Sequence, residues 1–168
     1  MERILIPQKR AEVLKRIVAK VAKTLGCKVE INENNEVVIE GDSYAEYNAK
    51  NVIQAFGRGF AMNAAYKLLD EGYFFKYINL KDILRNEDQI RRIKARIIGT
   101  EGKTKEYVQD VSSATMSVYG NTIGLIGTNE QIDTAMGALR VLIDGGTHKK
   151  AYRIMEGIRR KHRESGIS

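Results

Sequence analysis

Apolar and polar positions along the chain fall into two alternating rhythms. Between Gln8 and Leu25 the apolar residues Val13, Leu14, Ile17, Val18, Val21 and Leu25 keep helical spacing, with Lys9, Arg16, Lys20 and Lys23 on the outer side. That pattern predicts one long helix, with Pro7 near its start, where proline is tolerated, and a short strand, Arg3–Ile6, before it. "CKVEINENNEVVIEG" (27–41) reads strand, polar turn, strand. "ATMSVYGNTIGLIG" (114–127) does the same, with Gly120-Asn121 as a two-residue hairpin signal between Thr115–Tyr119 and Thr122–Ile126. Each hairpin leads into a helix opened by a capping residue: Asp42 or Ser43 for the first, Asn129 for the second. Both helices run into glycines, which suit a left-handed C-terminal cap.

The chain therefore reads as a diverged repeat. In the second copy the strand is Tyr77–Ile83 and the first helix Glu87–Ile98; the helix breaks at Gly99-Thr100-Glu101-Gly102 and resumes over Lys103–Ser113. The unit is β-α-(α)-β-β-α, written twice. A linking helix is expected over "FAMNAAYKLLDEG" (60–72), and a basic C-terminal helix over Thr147–Glu164. The apolar stripe of the latter, Ala151, Ile154, Met155 and Ile158, suits packing on a neighbouring element rather than on a membrane.

Composition narrows the function classes. One cysteine, Cys27, and two histidines, His148 and His162, cannot assemble a disulfide framework or a Cys/His metal site, so neither metal nor cofactor is expected. No apolar run approaches the roughly 20 residues of a membrane span, and MERILIPQKR lacks the apolar core of a signal peptide, so a cytoplasmic location is expected. The net charge of +7 favours a polyanionic partner, and residues 77–168 carry +5 of it.

The glycine break decides what kind of polyanion. Gly102-Lys103-Thr104 resembles the end of a triphosphate-binding loop, but that loop needs a glycine five residues earlier, where Ile97 stands, and a strand before it, where a helix is expected. A dinucleotide fingerprint fails at Ile97 as well. Two short helices joined by G-x-x-G fit better. The missing side chains let a sugar-phosphate backbone lie against the loop, and the N–H groups opening the second helix point at phosphate. Set before a hairpin and a third helix, "RIIGTEGKT" resembles the KH module, whose GXXG loop clamps about four nucleotides of single strand.

The resemblance extends over nearly the whole chain. Residues 91–156, from "RRIKARIIGTEGKTKEYVQDV" through "ALRVLIDGGTHKKAYRIME", are similar to the second KH domain of the archaeal Dim-two proteins, relatives of the eukaryotic partner of Nob-one. "AFGRGF" (55–60), "LLDEG" and "INLKDI" resemble that family's inter-domain stretch. The resemblance implies an α+β fold of two packed type I KH domains, β-α-α-β-β-α each, plus a C-terminal helix: a first domain over 1–72 with the linking helix, a second over 73–146, and a basic helix over 147–168. It also implies RNA binding near the 3′ end of precursor small-subunit rRNA during ribosome biogenesis and rRNA processing, through the second domain. The implied partners are the Nob-one endonuclease and the alpha subunit of translation initiation factor two.

Two departures from the family pattern stand out. The first copy has no GXXG: "AEVLKRIVAKVAKTLG" runs as one helix, so this domain reads as degenerate, a scaffold or protein-contact domain. Glu101 puts an acid where family loops are basic, and could instead accept a base or ribose hydrogen bond.

The candidate RNA-binding residues are Gly99 and Gly102 as the gap, Thr100 and Glu101 between them, and Arg92, Arg96, Lys103 and Lys105 as phosphate contacts. Ile98, with Val108 and Met116, is a candidate groove floor or plain core; Tyr119, on the strand face of Ser117, is a candidate stacking platform. Arg153, Arg159 and Arg160 would extend the RNA track, and Arg58 and Phe60 would fix the junction between domains. The competing reading is a protein-interaction adaptor, or a general single-stranded RNA or mRNA binder with weak or no rRNA specificity. An enzyme is not expected: no His/Cys nucleophile pairing exists, and Glu106 and Asp110 read as helix-surface charges.

Overall fold

Pro7 opens helix α1, which runs unbroken from Gln8 to Leu25 and stops at Gly26, whose φ of 65° suits glycine. The computed structural model to which this helix belongs describes residues 1–166. It divides into two compact units, with the boundary between Glu71 and Gly72.

In the first unit, strands β1 (Glu2–Leu5), β2 (Lys28–Ile31) and β3 (Glu36–Glu40) form an antiparallel sheet in the order β1-β3-β2. Strand alternation buries Val29, Val37 and Ile39 and leaves Lys28, Glu30 and Glu40 in solvent. Helix α2 (Ser43–Gly57) starts at Asp42, whose carboxylate accepts from the Ala45 N–H at 3.0 Å. The expected linking helix over 60–72 shrinks to α3 (Met62–Ala65) and a 3-10 turn, Tyr66–Leu69. The Asn63 side chain bonds the Ala64 N–H, and Asp70 at ψ 137° takes the chain out of helix.

The second unit contains β4 (Phe74–Asn79), α4 (Glu87–Ile98), α5 (Lys103–Ser112), β5 (Thr115–Tyr119), β6 (Thr122–Gly127), α6 (Asn129–Ile143) and α7 (His148–Ser165), its sheet running β4-β6-β5, all antiparallel. Strand β4 lies earlier than the expected 77–83 because Leu80 turns its N–H to the Asn121 carbonyl (2.8 Å) and Asn79 bonds the Lys81 N–H. Residues 80–82 then form a 3-10 turn that buries Leu80 completely. Helix α6 is capped by Thr128 rather than Asn129, in a reciprocal capping box with Gln131. Ile97, Val108, Leu125, Leu139 and Met155 form the centre of the core. Val108 and Met116, candidates for a groove floor, are only 1% and 3% exposed and belong to that core.

The repeat is readable in a hydrogen-bond device. In the first unit Arg10 donates to the carbonyls of Phe56 (2.8 Å) and Phe60 (2.5 Å), 46 and 50 residues further on. In the second, Arg96 donates to the carbonyls of Leu142 (2.9 Å) and Gly146, again 46 and 50 residues on. Each guanidinium thus ties the end of its unit's hairpin-following helix to the turn after it: it joins the Gly59 and Gly145 N–H groups on the Phe56 and Leu142 carbonyls (3.1 and 3.3 Å) and supplies a donor to the Phe60 and Gly146 carbonyls. The common offset, 86 residues from Arg10 to Arg96, also carries α2 onto α6 and β3 onto the start of β6. It carries Val13–Arg16, inside α1, onto Gly99–Gly102. Where the second unit breaks its helix, the first continues it.

Val13 is 41% exposed although it belongs to the apolar stripe, whereas Leu14 beside it is fully buried. Leu14→Ala should therefore cost about 2–5 kcal/mol in urea unfolding, and Val13→Ala should stay within about 0.5 kcal/mol of wild type. Equal losses would remove the distinction between the two positions.

Candidate nucleic-acid interface

The glycine break is a backbone feature. Gly99 (φ 75°, ψ 173°), Glu101 (φ 55°, ψ 26°) and Gly102 (φ 75°, ψ 12°) all have positive φ, so the chain leaves α4, makes one 3-10 turn over Thr100–Gly102 and enters α5 in a new direction. The Gly102 N–H closes that turn on the Gly99 carbonyl at 3.2 Å.

The two glycines serve different ends. A Cβ at position 99 would fall 2.8 Å from both the Cβ and the backbone nitrogen of Thr104, so Gly99 is required by the protein's own packing. A Cβ at position 102 would meet nothing within 4 Å, and Gly102 is the open side of the loop. Behind it, α5 starts without a side-chain cap, whereas Asn86, Thr128 and Thr147 cap the other long helices of this unit. An uncapped helix start facing an open glycine suits an anion, because first-turn N–H groups have no carbonyl of their own helix to bond, although that of Lys103 is taken by the Thr100 carbonyl. Thr100, Glu101 and Lys103 are exposed here, and Lys105 is half-buried.

Ile98, the last residue of α4, lies half-buried on one side of an open groove of about 570 Å³ shared with Ile90, Arg91, Lys94, Ala95 and Asn121. Arg91 and Lys94, not singled out from the sequence, thus stand beside Ile98. Their spacing could have shown it, since positions 91, 94, 95 and 98 share one helical face. Arg92 and Arg96 lie on another. Arg92 is exposed and borders a depression of about 170 Å³ with Ile143, Asp144 and Gly145. Arg96, expected to contact phosphate, directs its guanidinium to the Leu142 and Gly146 carbonyls and holds the end of α6 instead.

Tyr119 is half-buried, and its register with Thr122 sets it alongside Ser117 and Thr115 on the sheet face turned from the helices; Met116 and Val118 face the core. It is therefore not on the helix side, where the loop lies. Arg153 and Arg160 are exposed on α7 and Arg159 is half-buried. In the first unit Phe60 is buried and Arg58, at the end of α2, half-buried; Arg10 holds this turn through the Phe56 and Phe60 carbonyls, its guanidinium 4.0 Å above the Phe56 ring.

Helix α7 reaches the loop from behind. The Tyr152 hydroxyl donates to Thr104 Oγ1 at 3.3 Å, His148 Nε2 bonds the Arg96 carbonyl at 2.9 Å, and the Tyr107 hydroxyl donates to Glu156. That last bond, with partial burial behind it, pushes the Tyr107 phenol above its ordinary pKa. The Tyr107 and Tyr152 rings sit 4.4 Å apart. Sequence reasoning missed this cluster, whose members lie 48 to 52 residues apart.

Residues 74–160 match the family model of the second KH domain of PNO1 proteins, a eukaryotic-type KH domain (KH-domain type I). A KH domain-containing protein of Methanocaldococcus jannaschii is 36% identical over 170 residues, covering 96% of this chain and 75% of its own. The pre-rRNA-processing protein PNO1 of Chaetomium thermophilum is 25% identical over 162 residues, and this chain spans 62% of its length. A chain in the crystal structure of the a/eIF2alpha–aDim2p–rRNA complex from Pyrococcus horikoshii is 34% identical with a TM-score of 0.87, covering 95% of this chain and 94% of that one.

The unequal glycines predict unequal substitutions. Gly99→Ala should lower unfolding stability by about 2–4 kcal/mol, since it combines a glycine-only conformation with a collision at Thr104. Gly102→Ala should cost about 1 kcal/mol or less, its left-handed strain being partly offset by a stiffer unfolded chain. Urea midpoints in the opposite order would refute the assignment of Gly99 to packing.

Proposed function

Because this chain belongs to the archaeal Dim2 and eukaryotic PNO1 family of KH-domain proteins, we propose that it is a non-catalytic RNA-binding protein of small-subunit ribosome biogenesis. On this reading the Gly99–Gly102 loop holds single-stranded rRNA near the 3′ end of the precursor. The observation that carries the reading is the open, positive-φ Gly102 in front of the uncapped α5. Backbone phosphate approaches at Gly102 and bonds the first-turn N–H groups, and Lys103 and Lys105 supply counter-charge. Thr100 and Glu101 meet the nucleotide beside it, Glu101 as an acceptor for a ribose or base donor.

Bases leave the loop along the groove at Ile98, between α4 and Asn121, with Arg91 and Lys94 at its margin. Arg92 is a more distant phosphate contact, and Arg96 supports the site by holding α6. Arg153, Arg159 and Arg160 continue the electrostatic track along α7. Tyr119 stacks on a base only if the strand passes over the sheet's other face. No catalytic group is assigned; the cleavage chemistry of rRNA maturation falls to a partner, the Nob-one endonuclease.

The first unit, whose α1 is unbroken at the position of the loop, acts as a protein-contact scaffold, with Arg58 and Phe60 at the junction between domains 1–72 and 73–146. The alpha subunit of initiation factor two is a partner of the assembled particle in the cytoplasm. The rRNA complex of the Pyrococcus relative and the pre-rRNA-processing role in the name of the Chaetomium relative support the RNA and its context.

Fluorescence anisotropy with a labelled single strand matching the 3′ end of small-subunit rRNA tests the reading. Gly102→Asp, which puts a carboxylate where phosphate must come, should abolish tight binding with the unfolding midpoint kept near that of Gly102→Ala. Wild-type affinity in Gly102→Asp would remove the loop from RNA binding, and a pull-down of protein partners surviving nuclease treatment would then favour the adaptor role.

Lys103→Ala should reduce the slope of log affinity against log salt by about 0.7, the value for one phosphate contact on a single strand, without changing sequence preference. An unchanged slope would take Lys103 off the phosphate path.

A further inference from the structure

The offset of 86 residues that relates Arg10 to Arg96 also relates the segments that follow. It carries α3 and its 3-10 turn onto the first turns of α7: Met62 onto His148, Ala65 onto Ala151 and Tyr66 onto Tyr152. Ala65 and Ala151 are both completely buried, which supports the register. It carries Val18 of α1 onto Thr104 of α5. The tyrosine is thus present in both units, and its hydrogen-bonding partner in only one. In the unit without a glycine break, valine stands where Thr104 accepts from Tyr152, and methionine stands where His148 bonds the Arg96 carbonyl. The polar contacts accompany the loop.

Their geometry explains why. Thr104 lies in the first turn of α5, and its side chain fills the space beside Gly99. Whatever holds the Thr104 hydroxyl therefore sets where α5 begins relative to the end of α4. Tyr152 holds it from outside, at 3.3 Å, with its ring packed on Tyr107 at a centroid distance of 4.4 Å. His148, one turn earlier on α7, holds the other side of the break through the Arg96 carbonyl at 2.9 Å. One rigid helix thus grips both sides of a junction whose own backbone, with positive φ at Gly99, Glu101 and Gly102, leaves the helical ladder of α4 and α5 and keeps only tight local bonds.

We propose that Tyr152 and His148 are positioning residues for the RNA loop: α7 sets the separation and angle of α4 and α5 at which the Gly99–Gly102 turn receives phosphate. This rests on the assignment of that loop to RNA. Neither residue touches RNA. Tyr152 acts through Thr104, and His148 through the last turn of α4.

The test uses the full chain and the labelled rRNA 3′-end strand. Tyr152→Phe keeps the ring and removes one hydroxyl; Thr104→Val reproduces the first unit's residue. Each should weaken binding about fivefold, the scale of one neutral hydrogen bond. The double variant should be no weaker than either alone, because the two substitutions break the same bond. Thr104→Ser should restore affinity, and unfolding midpoints of all variants should stay close together. Amide exchange at Tyr107 and Val108, whose N–H groups close the first turn of α5, should accelerate in Tyr152→Phe. Wild-type affinity in Tyr152→Phe and Thr104→Val, or additive losses in the double variant, would overturn the proposal while loss of binding in Gly102→Asp left the RNA assignment standing. Wild-type binding by Gly102→Asp would bring down both.

Discussion

Thr104 stands where a side chain on residue 99 would have to go, and the rest of the second unit's helix break is arranged around that exclusion. With no room for a Cβ, position 99 takes a conformation that continues neither α4 nor an ordinary turn (φ 75°, ψ 173°). The chain then needs Glu101 and Gly102 in left-handed backbone to recover and start α5. A helix started this way has no preceding Ser, Thr, Asp or Asn to cap it. The Lys103 N–H bonds the Thr100 carbonyl, and the first-turn N–H groups after it stand behind Gly102, around which there is empty space. Packing inside the junction and accessibility outside it are two consequences of one contact.

The first unit shows the same chain without that contact. Val13–Arg16 occupy the corresponding positions in α1 and Val18 that of Thr104; an uninterrupted ladder of helical hydrogen bonds replaces the loop. What both units keep is the arginine that satisfies two carbonyls four residues apart at the end of α2 or α6. The Phe56 and Leu142 carbonyls keep a backbone partner without it, Gly59 and Gly145; a Phe60 or Gly146 carbonyl left unpaired would carry a penalty of about 1–3 kcal/mol where buried. The device holding the architecture is therefore present in both units, and the glycine break is present in one.

Much of this was legible along the chain. The bounds of α1 follow from periodicity with Pro7 before it, the end of α4 from the glycine break at Gly99, and the β5–β6 hairpin from Gly120-Asn121. These are local signals. The strand at 74–79, the short α3 and the Thr128 cap were misplaced because distant or side-chain contacts set them: Leu80 on the Asn121 carbonyl, Asn63 on its neighbour's N–H, Gln131 on Thr128. At the site, proximity in sequence stood in for proximity in space. Arg92 and Arg96 read as phosphate contacts because they are charges near a glycine loop, yet they lie on a different helical face from Arg91 and Lys94, and Arg96 ends on backbone carbonyls. The His148, Tyr152 and Thr104 contacts could have been suspected only from the 86-residue register, because the hairpin resemblance alone does not align the helices residue by residue.

Glu101 becomes intelligible in the same terms. It is an exposed side chain at a left-handed position, two residues before the first residue of an uncapped helix. A carboxylate near a helix N-terminus is favourable to the helix, since it faces the positive end of the peptide dipoles. In the free protein Glu101 thus offers α5 some of the negative charge that a capping residue would have brought. On the proposed reading, phosphate arriving at Gly102 competes for the same N–H groups and is repelled by the same carboxylate. The acid therefore lowers the gain from non-specific phosphate contact more than it lowers binding of a strand that can also donate a hydrogen bond to it. An all-basic loop would hold any single strand tightly. On the same proposal, with Glu101 between the glycines, attraction by Lys103 and Lys105 is tempered, and more of the discrimination falls to bases along the groove at Ile98.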